Sequence, residues 1–156
     1  MSQPPTLALS CVLLQTTNIA LGAGADVPVT FTDADVYDAD AMHAPGGANP
    51  ERVIIPANAP GVYHVEGEVQ FNAIALAAGD SEDAWIEVGA IGATAEVARS
   101  SVHQTAAGRL SNAHVSWTGF LAGGEEVEMH ATSVTGDAAG IQTARLTVAR
   151  IANAQT

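Results

Sequence analysis

The sequence contains no lysine, and five arginines carry its positive charge against 17 acidic residues. The formal net charge of this 156-residue chain is -12 at pH 7. Nucleic-acid binding depends on clustered Lys and Arg side chains that neutralise phosphates, so the composition argues against a nucleic-acid partner. The same shortage of cations argues against binding to an anionic membrane surface.

Cysteine is nearly absent as well, since Cys11 is the single one in the sequence. One thiol permits no internal disulfide, so the fold is not expected to depend on an oxidising compartment. No positively charged residue precedes Arg52, and the apolar stretch around Cys11 is too short to span a bilayer. We therefore predict an opening β-strand there, with Cys11 as a small buried apolar residue, rather than a signal peptide.

Aromatic residues make up only 4% of the chain, although 47% of it is hydrophobic, so Ala and Val must fill much of the interior. The length suits one domain with a proper core. The stretch "APGVYHVEGEVQF" at 59–71 alternates apolar and polar residues after a Pro60-Gly61 turn. A period of two is typical of a strand with one buried and one water-facing side.

Further stretches of this kind follow along the chain, separated by Gly-rich turns. The predicted strands are 7–15, 17–21, 26–31, 51–55, 62–72, 84–91, 94–103, 110–121, 125–134 and 143–151. Short strands at this spacing predict an all-β protein, an antiparallel sandwich or barrel. The alternation also predicts that polar side chains on these strands face water, among them His64, His114, Glu126, Glu128, His130 and Thr132.

Four aspartates crowd the irregular segment 32–50, namely Asp33, Asp35, Asp38 and Asp40. Clustered carboxylates of this kind can bind calcium. The spacing does not fit an EF-hand loop, because Tyr37 stands where the third ligand belongs and no Glu closes the loop. A solvated acidic loop, in which Asp side chains bond their own backbone, is the favoured interpretation, with a metal site as the weaker alternative.

No motif in the sequence indicates catalysis or a cofactor. His103 follows Ser100 and Ser101 closely, but a nucleophilic serine needs a strained turn, and the G-x-S-x-G pattern is missing. A P-loop and a G-x-G-x-x-G pattern are missing too, and no two histidines have the spacing of a zinc motif. We therefore predict that the protein is not an enzyme and holds no cofactor.

The order of several short phrases resembles C1q-like and tumour-necrosis-factor-like (C1q/TNF-like) domains. The matching residues are Phe31, Tyr37-Asp38, Asn49, Val53 to Pro56, Gly61-Val62-Tyr63, Leu121, Gly124, Glu125 and Val127. The resemblance covers about residues 26–152, with 1–25 as an N-terminal arm and first strand and 153–156 as a tail. It implies a two-sheet antiparallel jelly roll that assembles as a homotrimer.

The segment "VYDADAMHAP" at 36–45 resembles the corresponding segment of phage and bacterial variants of this family, and no collagen-like tract is present. In such proteins the domain is typically a trimeric knob on a virion. The resemblance therefore implies a capsid-decoration or head-fibre-type protein on the virion surface, assembled in the host cytoplasm and bound to the viral capsid. The alternative is a receptor- or glycan-binding tip of a tail fibre.

Two sets of residues follow from this resemblance as expectations. By analogy with the family, the strands at 62–72 and 110–121 should lie nearest the three-fold axis, where Tyr63, Trp117 and Phe120 are the large side chains. Trp117 and Phe120 point to opposite faces, so one should fill the sandwich while the other approaches a neighbouring chain. Particle attachment is predicted for the N-terminal segment, through Pro4, Pro5, Leu7 and Leu9, because prolines keep it extended and its apolar residues fall on both faces.

Overall fold

A computed structural model describes residues 9–72, 80–103, 110–133 and 140–153 of the chain. These residues form strands and turns, and no helix among them is long and apolar enough to cross a membrane. The strands are β1 Ser10–Gln15, β2 Ile19–Ala20, β3 Val27–Pro28, β4 Tyr37–Asp38, β5 Arg52–Ile54, β6 Gly61–Phe71, β7 Glu82–Ala90, β8 Ala93–Val102, β9 Ser111–Leu121, β10 Glu125–Ser133 and β11 Gly140–Asn153.

The strands build two antiparallel sheets. Sheet A has the order β4-β1-β11-β6-β9, with β2 pairing one end of β11. Sheet B has the order β3-β10-β7-β8, with β5 also pairing β10. Consecutive strands often lie in different sheets, so the chain crosses between the two layers repeatedly. The all-β, two-sheet prediction is thereby confirmed.

The alternating stretch becomes the longest uninterrupted pairing in sheet A. Strand β6 pairs β9 from Gly61 opposite Leu121 to Phe71 opposite Ser111. Its other edge pairs β11, with two register shifts. Tyr63, Val65, Val69 and Phe71 are fully buried between the sheets and Gly67 is buried with them, whereas the polar residues between them are exposed or half-buried. The period of two therefore predicted both the strand and its buried side.

The hydrophobic core lies between the two sheets and is built mainly from aliphatic residues. Tyr63 and Phe71 of sheet A are buried there, and so is Phe31, on the segment that leads from β3 to β4. The Tyr63 hydroxyl donates a hydrogen bond of 2.7 Å to the Ala59 backbone oxygen, which satisfies its one polar group. Cys11 is completely buried, and this burial raises the pKa of its thiol, as expected for an inert packing residue.

One buried carboxyl group joins the two sheets near their edge. Glu82 on β7 is fully buried and accepts a hydrogen bond from the Ser111 hydroxyl on β9. Its second oxygen, Oε1, has no hydrogen-bond partner. Burial raises the pKa of Glu82, and the smaller opposing effect of the Ser111 hydrogen bond does not cancel it.

The structure differs from the predicted strands mainly in the first third of the chain. The predicted strands at 17–21 and 26–31 shorten to the two-residue strands β2 and β3. Inside the predicted irregular segment 32–50, Tyr37–Asp38 pairs with Cys11 and Val12 as β4. A two-residue strand has no periodicity of its own, because its pairing is decided by the neighbouring strand.

The prediction that Glu126, Glu128 and His130 face water was wrong. All three point to the side of sheet B that lies away from the core, as the alternation indicates, yet they are 0%, 7% and 9% exposed. Side chains from neighbouring strands and turns cover them, including Trp85, Arg52 and Asp26. The prediction holds for His114, which is exposed, while His64 is half-buried and bonded to Thr118.

Candidate functional site

The covered polar side chains on sheet B form the most concentrated group of titratable residues among those described. We call this group the outer-face network; its members are Asp26, Arg52, Trp85, Glu87, Arg99, Glu126, Glu128 and His130. Strand β10 supplies three of these residues, and β7 supplies two. Arg52 comes from β5, Arg99 comes from β8, and Asp26 immediately precedes β3. The register places Glu128 opposite Glu87 and His130 opposite Trp85, so their side chains meet on one face.

His130 stands at the centre of the outer-face network, with acceptors on both ring nitrogens. Nδ1 lies 2.7 Å from Asp26 Oδ1, and Nε2 lies 3.1 Å from Glu128 Oε2. Glu87 Oε2 is 3.8 Å from Nε2. Burial alone would lower the pKa of His130, but the hydrogen bonds and charges of these acids outweigh burial and raise it.

Glu87 is held in place by its own donors. The Trp85 indole donates to Oε1 at 2.9 Å, and the Thr94 hydroxyl donates to Oε2 at 2.6 Å. Burial acts to raise the pKa of Glu87, but these two hydrogen bonds, with the charges of His130 and Arg99, outweigh it and lower the pKa. The carboxylate is therefore ionised and oriented before any ligand arrives.

Trp85 is sandwiched between two basic groups. Its ring stacks on the His130 imidazole at a centroid distance of 5.6 Å, and the Arg99 guanidinium lies 4.1 Å from the ring centroid. Arg99 also pairs with Asp83 and Glu96. The indole face attracts the Arg99 guanidinium, so this stack keeps positive charge close to the acids of the outer-face network.

The side chain of Arg52 forms ion pairs with three carboxylates through its Nε atom. Its Nε lies 2.9 Å from Glu128 and 3.3 Å from both Glu51 and Glu126. Glu126 is almost completely buried, and its Oε2, the oxygen that Arg52 approaches, makes an ion pair but no hydrogen bond. The outer-face network contains four acids and two arginines. The outer-face network therefore holds more negative charge than its arginines neutralise.

Asp26, Glu87 and His130 bring three potential metal-ligand atoms within 4.8 Å of one another. Within the described ranges, no other group of three His, Cys, Asp or Glu residues meets this condition. The sequence did not reveal this group because its members come from three separate parts of the chain, namely β7, β10 and the residue before β3. The available signal was the outward pair of Glu128 and His130 on β10, facing another outward acid in "WIEVG" on β7.

The four predicted metal aspartates are distributed over separate roles. Asp33 accepts from the Thr16 backbone and hydroxyl, and the Thr16 hydrogen bonds lower its pKa. Asp38 accepts from the backbone N–H groups of Met42 and His43. Asp35 lies against His43, and Asp40 is exposed. Asp38 thus bonds its own loop backbone, in agreement with the favoured interpretation, and the four carboxylates do not form a ligand group.

His43 fixes the acidic loop to the body of the domain. Its side chain is 0% exposed, with Nδ1 2.7 Å from Asp35 Oδ1 and Nε2 2.9 Å from the Pro50 carbonyl oxygen. The carbonyl oxygen can only accept, so Nε2 is the donor in that hydrogen bond. The loop is therefore ordered by one buried side chain.

Beside this loop lies an open cleft of about 470 Å³. Its lining is Asp40, Ala41, Met42, His43, Ala44, Gly47, Ala48, Asn49, Arg52, Ile54, Ile55, Pro56, Ala57 and Gly124. The walls are mostly apolar, and no Phe, Tyr or Trp contributes to them. A sugar-binding site usually stacks its ligand on an aromatic face, so this cleft offers no such platform.

The residues predicted for a trimer interface fall in three different environments. Tyr63 is fully buried inside the single chain, so its side chain is not available to a neighbour. Trp117 is half-buried and packs against the core. Phe120 is 56% exposed, on the side of sheet A that lies away from the core. The two aromatic residues of β9 are thus divided between the faces.

The predicted attachment residues are mostly outside the described part of the chain. Pro4, Pro5 and Leu7 lie outside it, whereas Leu9 immediately precedes β1 and its carbonyl oxygen accepts from Arg150 N at 2.7 Å. Strand β1 is flanked by β11 on one side and by β4 on the other. His103, which follows Ser100 and Ser101 in sequence, contacts the Asp80 carbonyl oxygen through its ring.

Comparison with solved structures shows what this architecture is similar to. The globular domain of zebrafish complement 1qA matches with a TM-score of 0.62 and 12% identity, over 93% of this chain and 98% of that one. Eiger TNF from S. frugiperda matches with a TM-score of 0.57 and 12% identity, over 96% of each chain. Murine APRIL at pH 8.0 matches with a TM-score of 0.60 and 10% identity, over 91% of this chain and 99% of that one. The chain has the C1q/TNF-like jelly-roll fold.

No protein-family model matches this C1q/TNF-like chain, and no curated protein matches it in sequence. At 10–12% identity the structural likeness establishes the fold alone.

Proposed function

We propose that this C1q/TNF-like protein is a homotrimer that packs through the outer face of sheet A and serves as a structural protein on a virion surface. The observation that carries the trimer is the contrast in charge between the two sheets. In sheet A the strands contain three acids, Asp38, Glu66 and Glu68, against Arg145 and Arg150.

The strands of sheet B contain seven acids against two arginines, Arg52 and Arg99. The acids are Glu82, Asp83, Glu87, Glu96, Glu125, Glu126 and Glu128. A trimer of chains with a net charge of -12 each must bring together its least charged faces, because like charges at a desolvated contact repel. Sheet A offers that face, and sheet B then remains towards solvent.

Exposed apolar side chains on sheet A support the same arrangement. Phe120 is 56% exposed opposite Val62, and Ile151, at the end of β11, is 60% exposed. At the opposite edge of sheet A, on β4, Tyr37 is 44% exposed and pairs with Val12. Burial of apolar surface stabilises by roughly 25 cal/mol per Å², so covering these residues favours association.

The trimer is tested by light scattering on the purified protein. We expect a particle of three times the 15.8 kDa chain mass. Phe120→Asp places a charge at the proposed contact and should shift the mass towards the monomer. Ile91, a 57% exposed residue in the turn between β7 and β8 of sheet B, provides the matched control, and Ile91→Asp should leave the trimer intact.

Comparison of Trp117→Ala with Phe120→Ala distinguishes a side chain that packs in the core from one that contacts a neighbouring chain. Because Trp117 packs against the core, this change should lower the free energy of unfolding by about 3 kcal/mol, towards the low end of large-to-small aromatic substitutions. Phe120→Ala should mainly weaken the trimer. A stable monomer in the wild type, or identical effects of the two alanine variants, would contradict the proposed interface.

The virion role is supported by the resemblance of residues 36–45 to phage variants of the family. We expect the full chain to co-sediment with particles and a labelled copy to be visible on them by electron microscopy. Deleting residues 1–6 should leave a folded trimer that binds particles weakly, because those residues are proposed to reach the capsid. Undiminished decoration by the truncated protein would place attachment elsewhere, most directly in the 32–50 loop.

A second candidate function, recognition of a host receptor at a fibre tip, is favoured by the cleft beside the 40–49 loop. The mostly apolar walls of this cleft are suited to covering part of a bound ligand. Labelled trimer that bound host cells but not particles would favour this second function over the first.

A further inference from the structure

We infer that the outer-face network contains a binding site for a first-row divalent metal ion of the zinc class, formed by Asp26, Glu87 and His130. The ligand atoms of these residues already lie within 4.8 Å of one another. The ion is placed on Nδ1, beside Asp26, so Nε2 keeps its N–H and donates it to Glu128, the positioning residue. Glu87 Oε2, which lies 3.8 Å from Nε2, completes the ligand set by a shift towards Nδ1. This site does not depend on the proposed trimer or on the virion role.

The hydrogen-bond pattern of His130 requires a positive species at this position. A neutral imidazole has one N–H, so it can donate to only one of the two carboxylates that contact its nitrogens at 2.7 and 3.1 Å. The other nitrogen then turns its lone pair towards a carboxylate oxygen. Either a second proton or a metal ion between that nitrogen and the acid removes the repulsion.

The amount of negative charge favours the metal ion. Asp26, Glu87 and Glu128 bring three carboxylates to one imidazole, whereas His43, the other buried histidine, faces a single carboxylate. One proton balances one of the three charges. Arg52 is divided among Glu51, Glu126 and Glu128, and Arg99 is paired with Asp83 and Glu96, so neither arginine supplies the difference.

The surrounding contacts have the features of a prepared metal site. In such sites the histidine commonly donates its second N–H to a carboxylate, which fixes the ring. Glu128 Oε2 is in that position, and Arg52 Nε holds the other Glu128 oxygen at 2.9 Å. Glu87 is oriented by Thr94 and Trp85, as described above. Asp26 is 57% exposed at the side chain, so the site is open to an entering ion.

The donor set selects the class of metal. One imidazole nitrogen and two carboxylate oxygens suit Zn²⁺ and its first-row neighbours, whereas Ca²⁺ and Mg²⁺ prefer oxygen ligands only. Three protein ligands leave at least one position for water. The site is therefore expected to discriminate clearly between Zn²⁺ and the alkaline-earth ions.

The test is a calorimetric titration of the full-length, chelator-treated protein with ZnCl₂ at neutral pH in a buffer that does not bind metals. We expect saturable binding of one Zn²⁺ for each chain, and binding of Ca²⁺ or Mg²⁺ at least about a hundredfold weaker. Absence of saturable Zn²⁺ binding would overturn the site and leave a doubly protonated His130. Equal affinity for Ca²⁺ would overturn the part assigned to the imidazole.

Variants locate the bound ion. Asp26→Asn and His130→Gln should each weaken Zn²⁺ binding by about tenfold or more, and Glu128→Gln by about tenfold through the loss of its positioning contact. His114→Gln is the matched control, because His114 is an exposed histidine 2.7 Å from the Glu66 carboxylate on sheet A. Its affinity for Zn²⁺ should be unchanged.

Circular dichroism shows which variants are folded. If His130→Gln does not fold, Asp26→Asn carries the test, because Asp26 is largely exposed. Unchanged affinity in folded Asp26→Asn, or loss of binding in His114→Gln, would overturn the assignment. In a Trp117→Phe background, Zn²⁺ should also change the emission of Trp85, whose indole bonds Glu87 and stacks on His130. An unchanged emission at saturating Zn²⁺ would place the ion away from the outer-face network.

Discussion

Tyr63→Ala is expected to lower the free energy of unfolding by about 3–5 kcal/mol, the range for removing a large aromatic side chain from a core. Tyr63 is fully buried between the sheets, so the substitution leaves a cavity. It also leaves the Ala59 carbonyl oxygen without the 2.7 Å hydrogen bond from the tyrosine hydroxyl. Urea unfolding followed by circular dichroism, at one fixed protein concentration, measures the change.

Tyr63→Phe is the control for this prediction, because it keeps the ring and removes the hydroxyl alone. Loss of one buried hydrogen bond should cost about 1–2 kcal/mol. A fixed concentration is needed because association of chains would add to the apparent stability of the folded state. A small effect of Tyr63→Ala would mean that Tyr63 is not a core residue of the domain in solution.

His43→Leu should be nearly as damaging, although Leu is apolar and similar in size. The substitution leaves Asp35 and the Pro50 carbonyl oxygen without their partner, and we expect a loss of about 3 kcal/mol. The local consequence should be larger than the global one, because His43 joins the loop at 32–50 to the rest of the domain. Hydrogen exchange of the Met42 and His43 amides, which bond Asp38, should therefore accelerate.

Asp40→Asn provides the comparison within the same loop. Asp40 is exposed, so its replacement should leave both stability and amide exchange unchanged. If Asp40→Asn and His43→Leu had equal effects, the loop would be sensitive to its total charge rather than to one buried contact. That result would contradict the role given to His43.

The alternation of apolar residues was enough to predict the long strands and the sides they bury. Strand β6 is the clearest case, because Tyr63, Val65 and Val69 all fall on its core side. Alternation reports the direction of a side chain, but not whether another part of the chain covers it. Glu126, Glu128 and His130 point away from the core and are nevertheless buried, since Asp26, Arg52 and Trp85 come from other strands.

The outer-face network could not be predicted for the same physical reason. Asp26 and His130 are separated by more than a hundred positions in sequence, and antiparallel pairing of β3 with β10 brings them together. Closeness in sequence, by contrast, suggested a metal site that the fold does not assemble. Asp33, Asp35 and Asp38 are close neighbours along the chain, yet each bonds a different partner.

The place of β11 in sheet A has a consequence for how the chain folds as it is synthesised. Strand β11 lies between β1 and β6, yet it is the last strand of the sandwich to leave the ribosome. Every strand of sheet B precedes it in the chain, so that sheet can pair while sheet A still lacks its central strand. Until β11 arrives, β1 and β6 keep unpaired edges that invite association with other chains. A nascent chain halted before Gly140 therefore lacks the strand that joins β1 to β6, and the apolar interior between the sheets stays exposed.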